Sequence, residues 1–240
     1  MSVEGAGAAN PGTLYLIGTP IGNLGDITLR AIETLKAVSL VAAEDTRHTG
    51  QLLKKLGISA PLTSLHEHNE KAKAAQIVER LRAGESVALV SDAGMPVVSD
   101  PGAFLVRQAV EAGVPVSVVP GVSALTAALA LSGFWGDRFR FEGFPPRKEK
   151  ALKDWLSRLG EEETPVICYE SPFRLVKTLE VIREMLGEIP VVVARELTKL
   201  HEEATRGSTS QVLGRYTGRT PKGEITLLFW PKQEGLRKSA

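Results

Sequence analysis

The sequence predicts an α/β protein built as two domains, and three observations carry that expectation. From residue 13 onward, short runs rich in Val, Ile and Leu alternate with longer amphipathic stretches, as a parallel sheet with crossover helices requires. The chain has 240 residues, 43% of them hydrophobic, which is enough for two cores of ordinary size. Residues 134–150 then interrupt the rhythm with Gly, Pro, aromatic and basic side chains, which marks a linker.

The elements follow in order. Residues 1–12 have no positively charged start and no apolar run, so they are expected as a disordered tail and not as a signal peptide. The N-terminal domain, 13–133, carries expected strands at Leu14–Gly18, Val38–Ala43, Leu62–Leu65, Val87–Ser91 and Val116–Val119. Helices are expected between them at Thr28–Lys36, Gly50–Leu56, Lys71–Arg82, Gly102–Ala112 and Ser123–Leu131. The C-terminal domain, 151–232, is smaller, with a sheet of mixed direction. Its expected helices are Ala151–Leu159, Pro172–Leu186 and Ser210–Tyr216, and its strands are Pro165–Tyr169, Pro190–Arg195 and Ile225–Trp230. Residues 233–240 form a second tail.

Composition narrows the function classes. Net charge is +1, so no global basic field advertises a nucleic-acid partner. Residues 1–133 carry 10 basic and 12 acidic side chains and residues 134–240 carry 19 and 16, which places the basic excess in the second half. Cys168 is the sole cysteine, which excludes an intrachain disulfide and a cysteine-based zinc cluster and suits a reducing, cytoplasmic setting. No run reaches the roughly 18 apolar residues of a membrane span, so no membrane partner is expected.

Ligands of open α/β sheets bind outside the carboxyl ends of the strands. Four strand-ending loops meet that condition: Gly18-Thr-Pro-Ile-Gly-Asn23, Glu44-Asp-Thr-Arg47, Ser91-Asp-Ala-Gly-Met-Pro-Val-Val-Ser-Asp-Pro-Gly102 and Pro120-Gly-Val-Ser-Ala124. Their glycines allow close approach of the backbone to a ligand, and Asp92 and Ser123 supply polar groups. Ordinary turn chemistry explains each loop singly. No G-x-G-x-x-G opens a helix after a strand, and no G-x-x-x-x-G-K-[ST] loop is present, which argues against a dinucleotide or nucleoside triphosphate site. His66 and His68 lack a third nearby ligand and read as a loop pair; no metal is expected. The aromatics Phe134, Trp135, Phe139, Phe141 and Phe144 interleave with Arg138, Arg140 and Arg147. That pattern suits stacking on unpaired bases or, equally, burial at a domain junction.

Taken together over about residues 13–232, the motifs resemble the tetrapyrrole methylase superfamily and, within it, the ribosomal RNA small subunit methyltransferase I family. The resemblance is carried by Leu16-Ile-Gly-Thr-Pro-Ile-Gly-Asn-Leu-Gly-Asp-Ile-Thr28, Ala43-Glu-Asp-Thr-Arg47 and His66-Glu-His-Asn-Glu70. It continues through Ser91-Asp-Ala-Gly-Met-Pro96, Ser99-Asp-Pro-Gly102, Pro120-Gly-Val-Ser-Ala124, Tyr169-Glu-Ser-Pro-Phe-Arg174 and Lys222-Gly-Glu224. It implies two α/β domains with S-adenosylmethionine in the cleft between them, a homodimer, and 2′-O-methylation of a cytidine in 16S ribosomal RNA of the small subunit. By motif, it assigns donor contacts to Pro20, Asp92, Met95, Ser123, Ala124 and Tyr169, with Gly223 on the adenine side. Met95 stands where the family has Thr, and Phe173 stands where it has His. The second change removes a histidine from the candidates for catalytic base.

A ribose hydroxyl is a poor acid, so a base beside it and precise placement would both speed methyl transfer. The candidates are Glu44, Asp45, Arg47, Glu170 and Arg174. Asp45 and Glu170 would orient or deprotonate the acceptor, while Arg47 and Arg174 would grip a phosphate. The alternative is that each acid pairs with its arginine to fix a loop. Two other functions stay open: methylation of a tetrapyrrole, and a non-catalytic ribosome-assembly factor that retains the donor pocket.

Overall fold

Runs of branched and small apolar residues too short for helices form the strands of the first unit in the computed structural model, which describes residues 9–135, 137–219 and 221–232. These are β1 (Leu14–Ile17), β2 (Leu40–Ala43), β3 (Leu62–Ser64), β4 (Val87–Val90) and β5 (Val116–Val119). All pair in parallel, in the order β3-β2-β4-β1-β5. Successive side chains point to opposite faces. Leu14, Leu40, Val87 and Leu89 face a core shared with α3 (Glu70–Arg82) and α4 (Ala103–Glu111). Tyr15, Ile17, Val41 and Val90 face the other core, shared with α1 (Leu29–Ala37) and α2 (Thr46–Lys55). Ala74, Ile77, Val78 and Leu81 repeat at helical spacing on α3, so one stripe of it is buried. Each such branched side chain contributes about 1.5–3 kcal/mol relative to exposure.

The second unit has its own sheet, of β6 (Arg140–Phe141), β7 (Val166–Glu170), β8 (Pro190–Arg195), β9 (Glu203–Ser208) and β10 (Ile225–Phe229). The order is β6-β7-β10-β8-β9, with β6 and β7 parallel and the remaining pairs antiparallel. One face carries α6 (Glu149–Leu159), α7 (Leu175–Leu186) and α8 (Thr209–Tyr216) over Val166, Cys168, Val191, Val193, Leu227 and Phe229. Helix α5 (Ala124–Ser132) packs on β10 and its neighbours. Arg206 of β9 donates through Nε to the carbonyls of Leu131 (3.1 Å) and Ser132 (3.2 Å), setting a cation at the negative end of α5.

The mixed second sheet agrees with the sequence reading, but two of its strands lie where none is expected. β6 falls inside 134–150, and β9 (Glu-Ala-Thr-Arg-Gly-Ser) lacks the apolar run of an inner strand. Both are edge strands, where one side faces water and polar residues are tolerated. The division between units falls between Ser123 and Ala124, ten residues before the expected boundary. α5 accounts for the shift: its sequence ALTAALALS offers no charged face, so it needs a sheet to cover it, and the second sheet provides one. Helix α2 begins at Thr46 and not at Gly50, because Asp45 caps it. Of the expected N-terminal tail, Asn10 donates its N–H to the Tyr15 hydroxyl (2.7 Å) and Gly12 to the Gly84 carbonyl (3.1 Å). Residues 1–8 and the tail 233–240 lie outside the described residues. Among the described residues, no helix is long and apolar enough to cross a membrane.

Candidate functional site

A parallel sheet delivers every strand's carboxyl end to one edge, and the strand order decides which loops become neighbours there. β4 lies between β2 and β1, and β5 flanks β1, so the four loops singled out in the sequence stand side by side. Thr19 and Gly94 exchange backbone hydrogen bonds (2.9 and 3.0 Å), and the Thr19 hydroxyl donates to the Ser91 carbonyl (3.2 Å). Gly18 and Gly121 press backbone to backbone. A Cβ on Gly18 would lie 2.7 Å from Gly121 Cα, and one on Gly121 would lie 2.9 Å from Gly18 Cα. Neither position accepts a side chain without moving a strand end. The Gly121 N–H points at the Met95 sulfur, 3.3 Å away, so the methionine folds into the same knot.

The loop after β4 holds an unusual backbone. Val97 (φ 77°) and Ser99 (φ 64°) occupy the left-handed region, as do Gly94 and Gly102. Such conformations persist only where surroundings impose them, and they concentrate at ligand clamps and active sites. Here Glu70 imposes one end. Its Oε1 accepts from the backbone N–H groups of Gly102 (3.0 Å), Phe104 (2.8 Å) and Leu105 (3.2 Å), and so caps α4 from another helix. The sequence reading gave Glu70 no role. Its place in the His66–Glu70 motif, just before an apolar-periodic helix, was the available signal.

The acids of this edge differ sharply. Asp92 Oδ1 accepts from the Asp45 N–H (3.1 Å) and ties β4's loop to β2's. Burial, with Asp100 and Asp92 nearby, pushes the Glu44 carboxyl above the usual carboxylate range. Asp100 is pushed up as well, mainly by burial. Asp45 is driven well below the usual range by hydrogen bonds from Arg47: Nε at 3.1 Å, an Nη at 2.6 Å and the backbone N–H at 2.8 Å. An acid so stabilised as its anion is a weak base. Arg47 stands 87% exposed while holding Asp45.

On the second unit, Tyr169 and Glu170 end β7. The Glu170 side chain is fully buried; one oxygen accepts from the Thr178 hydroxyl (2.5 Å), the other from the Ser171 N–H (2.7 Å). Arg174 lies 3.6 Å from Glu170 and donates to the carbonyls of Pro145 (3.2 Å) and Pro146 (2.7 Å). Both acid and arginine are therefore occupied in fixing loops, the alternative kept open from the sequence. Tyr169 packs edge-on against Phe141 (5.1 Å) and tilted against Phe144 (5.5 Å). Gly223 has φ +93°, and a Cβ there would strike the Glu196 carboxyl group at 2.2 Å. Ala124 opens α5. His66 and His68 meet edge-on at 6.0 Å, and the Asn69 side-chain oxygen accepts from the His66 backbone N–H (2.9 Å). Among the described residues, no three His, Cys, Asp or Glu side chains gather as metal ligands do.

The chain was compared with known proteins. Residues 13–213 match the family described as tetrapyrrole (corrin/porphyrin) methylases. The chain is 48% identical over 222 residues to "Ribosomal RNA small subunit methyltransferase I" of Thermotoga maritima, covering 92% of this chain and 100% of the relative. It is 50% identical over 232 residues to the Haemophilus influenzae protein of that name, covering 95% and 80%. Among solved structures, the uroporphyrin-III-C-methyltransferase from Thermus thermophilus superposes with TM-score 0.60 at 22% identity, covering 90% of this chain and 94% of that one. At that identity the likeness concerns the fold.

Proposed function

The chain belongs to the tetrapyrrole (corrin/porphyrin) methylases and, within them, to the ribosomal RNA small subunit methyltransferase I family, and from that premise we propose that it methylates a cytidine 2′-hydroxyl of 16S ribosomal RNA. S-adenosylmethionine, when bound, supplies a methyl carbon activated by its sulfonium. The single observation that supports a small-molecule donor site most strongly is the knot of four loops at the carboxyl edge of the parallel sheet, where two glycines meet backbone to backbone beside a turn held in left-handed conformations. By family motif, Pro20, Asp92, Met95, Ser123, Ala124, Tyr169 and Gly223 would hold the donor.

The protein's remaining tasks are to align the acceptor oxygen, exclude water and remove a proton. Glu44 is the base. A carboxyl group raised above the usual carboxylate range takes a proton better than one held as a stable anion, which sets Glu44 above Asp45. Glu170 and Arg174 act as positioning residues at the end of β7, and Arg47 fixes Asp45 while remaining free to approach phosphate. The enzyme works in the cytoplasm on the small ribosomal subunit, as a homodimer and without a metal.

Tritiated S-adenosylmethionine and small subunits from a strain lacking the modification test the proposal. Label is expected in 16S RNA, with a primer-extension stop at one cytidine under limiting nucleotide. Label in a porphyrinoid, or in no acceptor, would overturn it.

A further inference from the structure

Two of the linker's aromatics and one of its arginines have partners in the fold. Phe134 packs edge-on against Trp230 (5.6 Å), Phe141 packs against Tyr169, and Arg140 is engaged by Glu142 and Glu162. Phe144 is different, with 62% of it exposed even though one side meets Tyr169. Phe173, on the turn after β7, is 85% exposed. Its backbone is fixed nonetheless, since the Phe173 N–H donates to the Ser171 hydroxyl (3.3 Å).

Arg174 links the two segments that carry these rings. By holding the carbonyls of Pro145 and Pro146, it ties the segment that carries Phe144 and Arg147 beside the turn that carries Phe173. The segment also carries cations. Among the described residues, Arg147, Lys148 and Lys150 are exposed and no ion pair engages them, whereas Lys153 and Lys177 nearby both bind Glu149. Exposed phenyl faces stack on unpaired bases, and uncompensated cations beside them attract phosphates. A polyanion with planar groups fits this chemistry better than an apolar protein surface, which would leave three charges unmatched.

We propose that Phe144 and Phe173, with Arg147, Lys148 and Lys150, bind an unpaired segment of the substrate RNA on the second unit. The proposal rests on the RNA reading of function. It also gives Phe173 a task in place of the histidine expected from the family.

The full-length chain and a fluorescein-labelled, cytidine-containing single-stranded RNA of about twelve nucleotides provide the test, read by anisotropy. Phe173→Ala and Phe144→Ala are each expected to weaken RNA binding by about tenfold or more, while S-adenosylmethionine affinity by calorimetry stays unchanged in Phe173→Ala. Phe173→Trp is expected to retain RNA affinity and to show fluorescence quenched by RNA beyond that of the native tryptophans. A doubly charge-reversed variant, R147E with K148E, is expected to flatten the salt dependence. Unchanged RNA affinity in both alanine variants would overturn the proposal, even with an altered oligomeric state, as would wild-type protein that does not bind this RNA. Subunit methylation by the wild type separates the two readings: methylation with unaffected RNA binding sinks only this inference, and absent methylation sinks the function.

Discussion

Glu44 and Asp45 are adjacent in sequence and are driven in opposite directions by their surroundings. Asp45 is bound by an exposed arginine and caps a helix; Glu44 is partly buried and faces two other acids. Because the folded Glu44 carboxyl holds its proton to higher pH than the unfolded one, its contribution to stability is full at low pH and is lost as pH rises through the raised value. Glu44→Gln is therefore expected to melt higher than wild type at pH 8, with the difference vanishing near pH 4, about the unfolded value. The same variant should lose about a hundredfold or more in kcat while binding S-adenosylmethionine normally. Full activity in Glu44→Gln would remove it from the mechanism. Sequence alone offered Glu44, Asp45 and Glu170 as candidates and gave the deprotonating role to Asp45 and Glu170. What separated them was burial and the partners supplied by Arg47 and Thr178, neither of which has a sequence signature.

At the scale of elements, a helix end depends on a residue 32 positions away from it. Gly102 leaves the α4 N-terminus without a side-chain cap of its own, and Glu70 from α3 fills that place. This fastening closes one end of the strained loop that carries Asp92 and Met95. Glu70→Ala leaves three N–H groups without their acceptor and should cost about 1–3 kcal/mol. Glu70→Gln keeps an acceptor oxygen and should recover most of that stability. If the loop serves the donor, Glu70→Ala will also weaken S-adenosylmethionine binding, read by calorimetry below its lowered melting temperature. Equal donor affinity in the alanine and glutamine variants would detach Glu70 from the site. Local pattern foretold the inner strands and most helices, since their apolar periodicity is written residue by residue. It missed β6 and β9, where an edge position relaxes the need for apolar residues.

Across the whole molecule, each unit buries its own core, and α5 belongs to the second. Leu156, fully buried on α6, is expected to cost about 2–5 kcal/mol when cut to alanine. Native-state hydrogen exchange should show faster opening of α6, α7 and β7, with β1, β2 and β4 protected as before. Equal loss in both units would mean that they unfold as one. The alternation of apolar runs with amphipathic stretches by itself determined the α/β class, the parallel first sheet and the loops at its carboxyl edge, because strand and helix periods are local properties of the chain. Only the tertiary structure decided that β4 sits between β2 and β1, that Gly18 meets Gly121, that Glu70 caps α4, and that Glu170 is enclosed while Phe173 is open to solvent. Those facts depend on contacts between residues distant in sequence, and their energies arise only once strands pair and water is excluded.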